Sequence, residues 1–383
     1  MKILISADLV PTRSNYELFE KADINELFGE KIIDELKSAD IRIFNLEVPF
    51  YDADSHIRKA GPVLKAPSST FNGIKALDPT LASIANNHIL DHGEEGLHNT
   101  IKILNDNNIS YVGAGSDLSE AKKPYIIEKD GKKIGVYSCA EHEFSIATEN
   151  GAGANPFDPL YSLDEIAELK SQVDFVIVLF HGGRELYRYP TPMQQRRCRR
   201  MVEKGADVVV CQHSHCVGCE EKYLDGVIVY GQGNFIFDAQ DHIEWQTGLL
   251  TVIDLDKNGK FEVSYIPIDK LKNKVRKSET NETLEGFNVR SEQIKDEGFV
   301  IEAFEKESNK KLGGVLSRLL GKLPYSFAYK VFNKISLKFF KKPLSYKFYN
   351  GKNADSVINQ IECESHRELL LTGLKQINRG DKK

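Results

Sequence analysis

Short apolar runs, each closed by a polar or charged residue, set the rhythm of this chain. Residues 2–7 form a buried strand by that pattern and stop at Asp8. A helix is predicted over 23–38, where Leu27, Ile32 and Leu36 fall near helical spacing. A second strand over 41–44 ends at Asn45-Leu46-Glu47, and Ser68 or Ser69 can cap a short helix running through Leu77. The third strand, 80–85, leads into Asn86-Asn87-His88. A helix over 93–107 then puts Leu97, Ile101 and Leu104 on one face. Residues 109–112, a Gly113-Ala114-Gly115 turn and a hairpin about Lys129-Asp130-Gly131-Lys132 follow.

The alternation resumes with a strand over 174–180 ending at His181, a helix over 191–204, and a strand over 207–211 ending near His213. Beyond that only strands are predicted: 227–230, 249–255 and 261–267, the last two joined by a turn at 256–259. Alternating β/α first and a meander last predict an α/β domain with a partly mixed sheet over 1–270. Residues 271–298 are polar and predict a linker. Residues 299–383 predict a helical extension broken at Pro324 and Pro343. No Asp or Glu occurs from 309 to 354, while Lys and Arg recur among residues such as Leu319, Phe327, Val331 and Phe339. Two readings stand for 310–347: a membrane-surface contact, or a helical cap on the core. The cap is favoured, because the apolar residues are too many for a narrow lipid-facing stripe.

Composition narrows the class. With 383 residues and 41% hydrophobic content, the chain can bury a sizeable core. A net charge of −5 is modest for this size and argues neither for nor against nucleic acid; no nucleic-acid partner is expected. No apolar run reaches transmembrane length, and the N-terminal stretch is too short for a signal sequence before Asp8 interrupts it. A cytoplasmic protein, peripheral at the inner membrane, is the expectation. The six cysteines form no even framework, so reduced thiols are expected. Cys211, Cys216 and Cys219 have iron–sulfur-like spacing, but the run lies on His213 and His215, and small buried thiols are the simpler reading. Gly113-x-Gly115 is a turn; Leu118 stands where a dinucleotide loop needs a third glycine.

Metal-binding residue types cluster at the strand ends: Asp8, Glu47, Asn87 with His88, His181, and His213 with His215. In α/β sheets the carboxyl ends of the strands form the ligand crevice, so residues far apart in sequence can converge there. A carboxylate such as Glu47 can bridge two ions, neutral imidazoles supply nitrogen, and an Asn carbonyl adds an uncharged oxygen. This mixed set favours Mn, Fe or Zn over Ca or Mg. Two divalent ions so held activate water and clamp a displacement at phosphorus. His88 is then free to protonate a leaving oxygen. Asp91 either orients His88 or caps the following helix.

Ala7-Asp8…Arg13, Asn45-Leu46-Glu47, Asn86-Asn87-His88…Asp91-x-Gly93, His181-Gly-Gly and His213-Ser-His215 resemble the bacterial capsule-synthesis (CapA-type, PGA cap) family. So do Gly113-Ala-Gly115, Gly205-Ala-Asp207 and Gly231-Gln-Gly-Asn234-Phe-Ile-Phe-Asp238, over about residues 1–255. The resemblance implies a metallophosphoesterase-like, four-layer α/β/β/α sandwich followed by the helical extension. It implies metal ligands at Asp8, Glu47, Asn87, His181, His213 and His215 and a proton donor at His88. Arg13 matches a basic position that either holds an anionic group or is a surface arginine. The implied role is hydrolysis of a phosphoester or anionic precursor in making an extracellular polymer, poly-gamma-glutamate or polysaccharide. A non-catalytic, metal-binding assembly factor and acid–base chemistry on a peptide backbone are the alternatives. One departure bears on this: the wider metallophosphatase pattern is Asp-x-His on the first strand, and here the third residue is Val10, so one metal site is expected to be weak. Many members begin with a membrane anchor or export signal, and none is read here.

Overall fold

The computed structural model describes residues 1–59, 61–238, 242–319 and the positions 331, 332, 334–336, 338 and 361. Its apolar runs become two large sheets. The first is eight-stranded, in the order Lys274–Lys277, Phe261–Leu271, Thr247–Leu255, Lys2–Val10, Ile41–Leu46, Leu81–Ser83, Ser110–Val112, with Asn234–Phe237 paired to the far end of Lys2–Val10. The second is six-stranded: Glu220–Tyr223, Gly226–Tyr230, Val208–Gln212, Phe175–His181, Lys132–Ala140, Tyr125–Lys129. The strands from the β/α half pair in parallel, and the meander adds antiparallel edges, as expected of a partly mixed sheet.

Three apolar clusters define the layers. Ile3, Ile5, Ile41 and Ile43 of the first sheet meet Ile134, Ile177 and Val210 of the second, forming the core between the sheets. Leu4 and Phe44 point the other way, onto Ile32 and Leu36 of helix Glu30–Ser38 and Leu97 and Leu104 of helix Gly93–Asp106. On the second sheet Val176, Val178 and Phe180 likewise face Ile166 of helix Ser162–Gln172 and Met201 of helix Pro192–Glu203. Successive strand residues face opposite ways and both faces are covered, so these strands read as unbroken apolar runs. Each fully buried Ile, Leu, Val or Phe contributes about 1.5–3 kcal/mol. The result is the expected α/β/β/α sandwich.

Three differences from the sequence reading stand out, beside the unpredicted strands Glu220–Tyr223 and Asn234–Phe237. The helix expected over 23–38 is broken into Ile24–Phe28 and Glu30–Ser38 at Gly29, whose φ of +74° no helix continues through. The third strand is shorter than 80–85, because the chain leaves the sheet after Ser83 to form the turn that carries Asn87. The linker expected over 271–298 is instead structured. Strand Lys274–Lys277 pairs with Phe261–Leu271, and helix Glu282–Gln293 buries Phe287 in the inter-sheet core. Polarity misled there because both elements bury only one or two residues each. Helix Pro192–Glu203 opens as its sequence predicts: Thr191 accepts a hydrogen bond from the Gln194 amide, and proline takes the first turn. At Gly113 φ is +93°, and a Cβ there would stand 2.6 Å from the Ala85 Cβ, so the turn needs glycine for packing.

Helix Glu297–Leu319 begins the basic extension, and the chain divides into compact units between Ile301 and Glu302. Most of 310–347 lies outside the described residues, so both readings of that segment remain expectations. Among the described residues no helix is long and apolar enough to cross a membrane. Cys139, Cys198, Cys211, Cys216 and Cys219 are buried free thiols.

Candidate metal centre

Strand register brings the polar strand ends together. In the first sheet Asp8 stands beside both Asn45 and Asn234. In the second, Ala140, His181 and Gln212 lie in one row, so His213 and Glu141 leave the sheet on either side of His181. Both rows are at the carboxyl ends of parallel strands, and the sandwich sets one row against the other. Asp8, Glu47, His181, His213 and His215 are each 6% exposed or less.

The distances join them into one cluster. His181 Nε2 is 3.0 Å from Asn87 Oδ1 and 3.3 Å from Glu47 Oε1. His215 Nδ1 lies 3.4 Å from Asp8 Oδ2 and its Nε2 lies 3.9 Å from Glu47 Oε1. The Asn45 amide donates to Asp8 Oδ1 at 2.6 Å and the His213 backbone N–H donates to Asp8 Oδ2 at 3.3 Å. Two ligand trios result, Glu47–His181–His213 and Asp8–Glu47–His215, each with donor atoms within 4.8 Å of one another. Glu47 belongs to both. His213 and His215 have φ of +88° and +53°, a left-handed backbone that costs non-glycine residues about 1–3 kcal/mol each. That turn reverses the chain so sharply that two histidines one residue apart both face the cluster.

The electrostatics suit a cation. Neither carboxylate oxygen of Glu47 has a hydrogen-bond partner, although both are buried. Burial, and then the adjacent Asp8 carboxylate, hold Glu47 well above the usual carboxylate range. Burial would raise Asp8 too, but the His215 hydrogen bond and the neighbouring imidazoles outweigh it and keep Asp8 low. Burial pushes His181 down to about 4 and His213 well below its ordinary value, leaving both as neutral imidazoles with a lone pair to offer. His215 goes the other way: burial opposes its charge, yet Glu47 and Asp8 lift it to about 9. Asn234 Oδ1, 2.9 Å from His215 Nδ1, turns the other ring nitrogen toward Glu47. The donor set fits divalent ions of the Mn, Fe or Zn kind.

His88 and Asp91 lie at the edge of this cluster. His88 Nδ1 is 2.6 Å from Asp91 Oδ2, which leaves Nε2 for a ligand; His92, not Asp91, precedes the helix as its cap residue. Lys59 completes the group, with its ammonium 2.5 Å from Asp91 Oδ1 and a side chain only 2% exposed. A cavity of about 560 Å³ opens over the cluster, lined by Asn87, His88 and His215 with Phe237 and Trp245. Arg13 is not in it; the turn after the first strand places Arg13 in a separate cavity that shares Leu64 and Phe237 as lining.

Several residues here have no counterpart in the sequence reading. Glu141 and Glu143 follow strand Lys132–Ala140 and form a third trio with His213. The strand-end rule applied to that strand would have found Glu141. Asn45 and Asn234 lay inside recognised blocks without an assigned role. Lys59 had no signal at all, because the segment around it has neither period nor motif.

The profile of the family described as bacterial capsule synthesis protein PGA_cap matches residues 2–239. The PGA biosynthesis protein CapA of Bacillus subtilis (strain 168) is 34% identical over 199 residues, 51% of this chain and 52% of the relative. The capsule biosynthesis protein CapA of Bacillus anthracis is 29% identical over 248 residues, 61% of this chain and 59% of the relative. The chain therefore spans little more than half the length of these two relatives. A solved phosphatase of Mycoplasma pneumoniae overlays 70% of this chain and 93% of its own at 14% identity, with a TM-score of 0.44. With the family profile running from the first strand through the loop after Asn234, this chain belongs to the bacterial capsule synthesis protein PGA_cap family.

Proposed function

We propose that the chain is a metal-dependent hydrolase that acts on a phosphoester or related anionic precursor in the making of a capsule or other extracellular polymer such as poly-gamma-glutamate. One observation carries the reading: Glu47 is fully buried with both oxygens unbonded, inside two overlapping trios of ligand atoms. The proposed ligands are Asp8, Glu47, Asn87, His181, His213 and His215. Two divalent ions held there would polarise a phosphoryl oxygen and lower the pKa of water. The protein's own part is to position and to move a proton. Asn45, the His213 amide and Asn234 fix the Asp8 and His215 side chains, and Asp91 holds His88 so that Nε2 faces the leaving oxygen. Lys59 keeps Asp91 in place. The aromatic wall of Phe237 and Trp245 excludes water from one side.

The test is elemental analysis of purified protein together with single-turnover phosphate release. Bound metal and phosphate release in the parent chain, with both lost in His213→Ala, are the expected results. For His88→Ala, metal is retained and release slows by about a hundred- to ten-thousandfold. Metal bound without turnover across a broad phosphoester panel would overturn the hydrolase reading. The second reading, a non-catalytic assembly factor, is favoured by Val10, which offers no nitrogen to the Asp8–Glu47–His215 trio. A cytoplasmic site of action belongs to the same proposal; for 310–347 the helical cap and a contact with a membrane surface or capsule machinery both stand.

A further inference from the structure

We infer that the cavity carrying Arg13 is an anion subsite that seats a second oxyanion of the substrate, one unit along an extended anionic chain from the group over the metal centre. The word substrate rests on the function proposed above; the binding itself does not depend on turnover.

The two cavities adjoin. The metal pocket, of about 560 Å³, and the Arg13 groove, of about 570 Å³, share Leu64 and Phe237 as a common wall. Their charge is opposite. At the mouth of the metal pocket stand Glu143 and Glu185, and the single lysine there, Lys59, is taken up by Asp91. Among the described residues lining that pocket there is no further lysine and no arginine. The groove is lined by Arg13, Lys65, His56 and His92, against Asp54 as the acidic member of the lining.

Its cations are available. Within the described residues the Arg13 guanidinium makes no hydrogen bond or ion pair, and it is exposed on the groove wall. Lys65 donates to the Ala53 carbonyl at 2.8 Å and meets Asp54 only at 3.7 Å, a loose pair with a carboxylate that is 84% exposed. His92 adds a polar ring to the groove wall. It is 3% exposed and lines the groove, yet its buried Nδ1 has no partner. Burial, and next the charge of Lys65, keep that imidazole neutral, so it can donate without repelling the neighbouring cations.

A planar guanidinium with a free fork, an ammonium and a neutral donor suit a carboxylate or a phosphate equally. His92 follows the His88–Asp91 pair by one residue, so the same turn presents one histidine to each cavity. A simple phosphomonoester would leave the groove unused. A chain with an anion on each unit would place one over the metals and the next against Arg13.

The test is equilibrium binding by the full, metal-loaded chain. Two fluorescently labelled probes are titrated, a γ-linked glutamate hexamer and a glycerol-phosphate hexamer. Arg13→Ala should weaken at least one by about tenfold or more, and Arg13→Lys should weaken it less. Metal content and the affinity for inorganic phosphate should stay at the parent value. Lys257→Ala serves as the charge control. It removes the same charge from an exposed turn at the opposite end of the first sheet, where Lys2 pairs with Asp254, and should change binding less than about twofold. Whichever oligomer loses affinity identifies the anion as carboxylate or phosphate. Equal weakening by Arg13→Ala and Lys257→Ala, or no binding of either oligomer to the parent chain, would overturn the subsite. Arg13-dependent binding without any turnover would sink the hydrolase reading and leave the groove standing; turnover of small phosphoesters with Arg13-independent binding would do the reverse.

Discussion

Glu47 governs the site at the scale of single residues. A carboxylate buried without hydrogen bonds is tolerable only beside a cation or as the neutral acid. Its raised pKa means that ionised Glu47 costs the metal-free protein stability above the ordinary carboxylate range, and that acidification relieves the cost. Glu47→Gln should therefore raise the melting temperature of the metal-free protein by a few degrees, from about 1–3 kcal/mol, while abolishing the rise that metal gives the parent. Scanning calorimetry with and without chelator checks both signs. His215, lifted to about 9, is protonated at neutral pH when no ion is bound. Metal binding must expel that proton, so affinity should climb with pH and level off near 9. Trp245, the one tryptophan, lies 4.5 Å from the His215 ring and reports the titration by its fluorescence. A pH-independent affinity would remove His215 from the ligand set. Val10→His restores the Asp-x-His pattern on the first strand and should tighten the second ion; calorimetric titration would show two strong sites where the parent is expected to show one strong and one weak.

At the scale of elements, the helix Glu282–Gln293 has more influence on the site than its polar sequence suggests. Phe287 closes the inter-sheet core, and Arg290 donates to the carbonyls of Gly218 at 2.8 Å and Val217 at 3.1 Å. Those carbonyls belong to the loop that begins with His213 and His215. The helix thus braces the strained turn from outside, and the brace offsets part of its left-handed backbone. Phe287→Ala should cost about 3–5 kcal/mol of stability in chemical denaturation. It should also loosen metal binding without touching any ligand. A loss of stability below about 1 kcal/mol would mean that the segment is only peripheral to the core.

For the molecule as a whole, the centre is where two sheets meet. Asp8 and Glu47 come from the first sheet, His181 and His213 from the second, so a bound ion ties the two together. Ligand binding to the native state alone stabilises it by about 2.7 kcal/mol at a hundredfold excess over Kd. Chelation should therefore lower the melting temperature of the parent, and His181→Ala should remove that difference. The same coupling shapes activity with pH. Burial, set against the pull of Asp91, lowers the His88 pKa below its ordinary value. Its acid form is thus lost as pH rises, while the metal ligands are lost as pH falls. Phosphate release should follow a narrow bell, and His88→Ala should flatten the alkaline limb only; an unchanged alkaline limb would free His88 from the proton-donor role.

What the residues alone determined were most of the strands, though not Glu220–Tyr223, Asn234–Phe237 or Lys274–Lys277, and the polar side chains at many of the strand ends. Those features follow from local period and from the rule that ligands gather at the carboxyl ends of parallel strands. Asp8, Glu47, Asn87, His88, His181, His213 and His215 were legible for that reason. Tertiary structure alone decided the rest. Glu141 and Glu143 approach His213 only because Lys132–Ala140 lies next to Phe175–His181 in the second sheet, and sheet order has no local signal. Lys59 meets Asp91, and Arg13 lies in a cavity apart from the Asp8–Glu47–His cluster, with Leu64 and Phe237 between, through long-range packing of loops without periodicity. A helix or strand writes its period into neighbouring residues, but a contact between distant loops depends on how the layers stack.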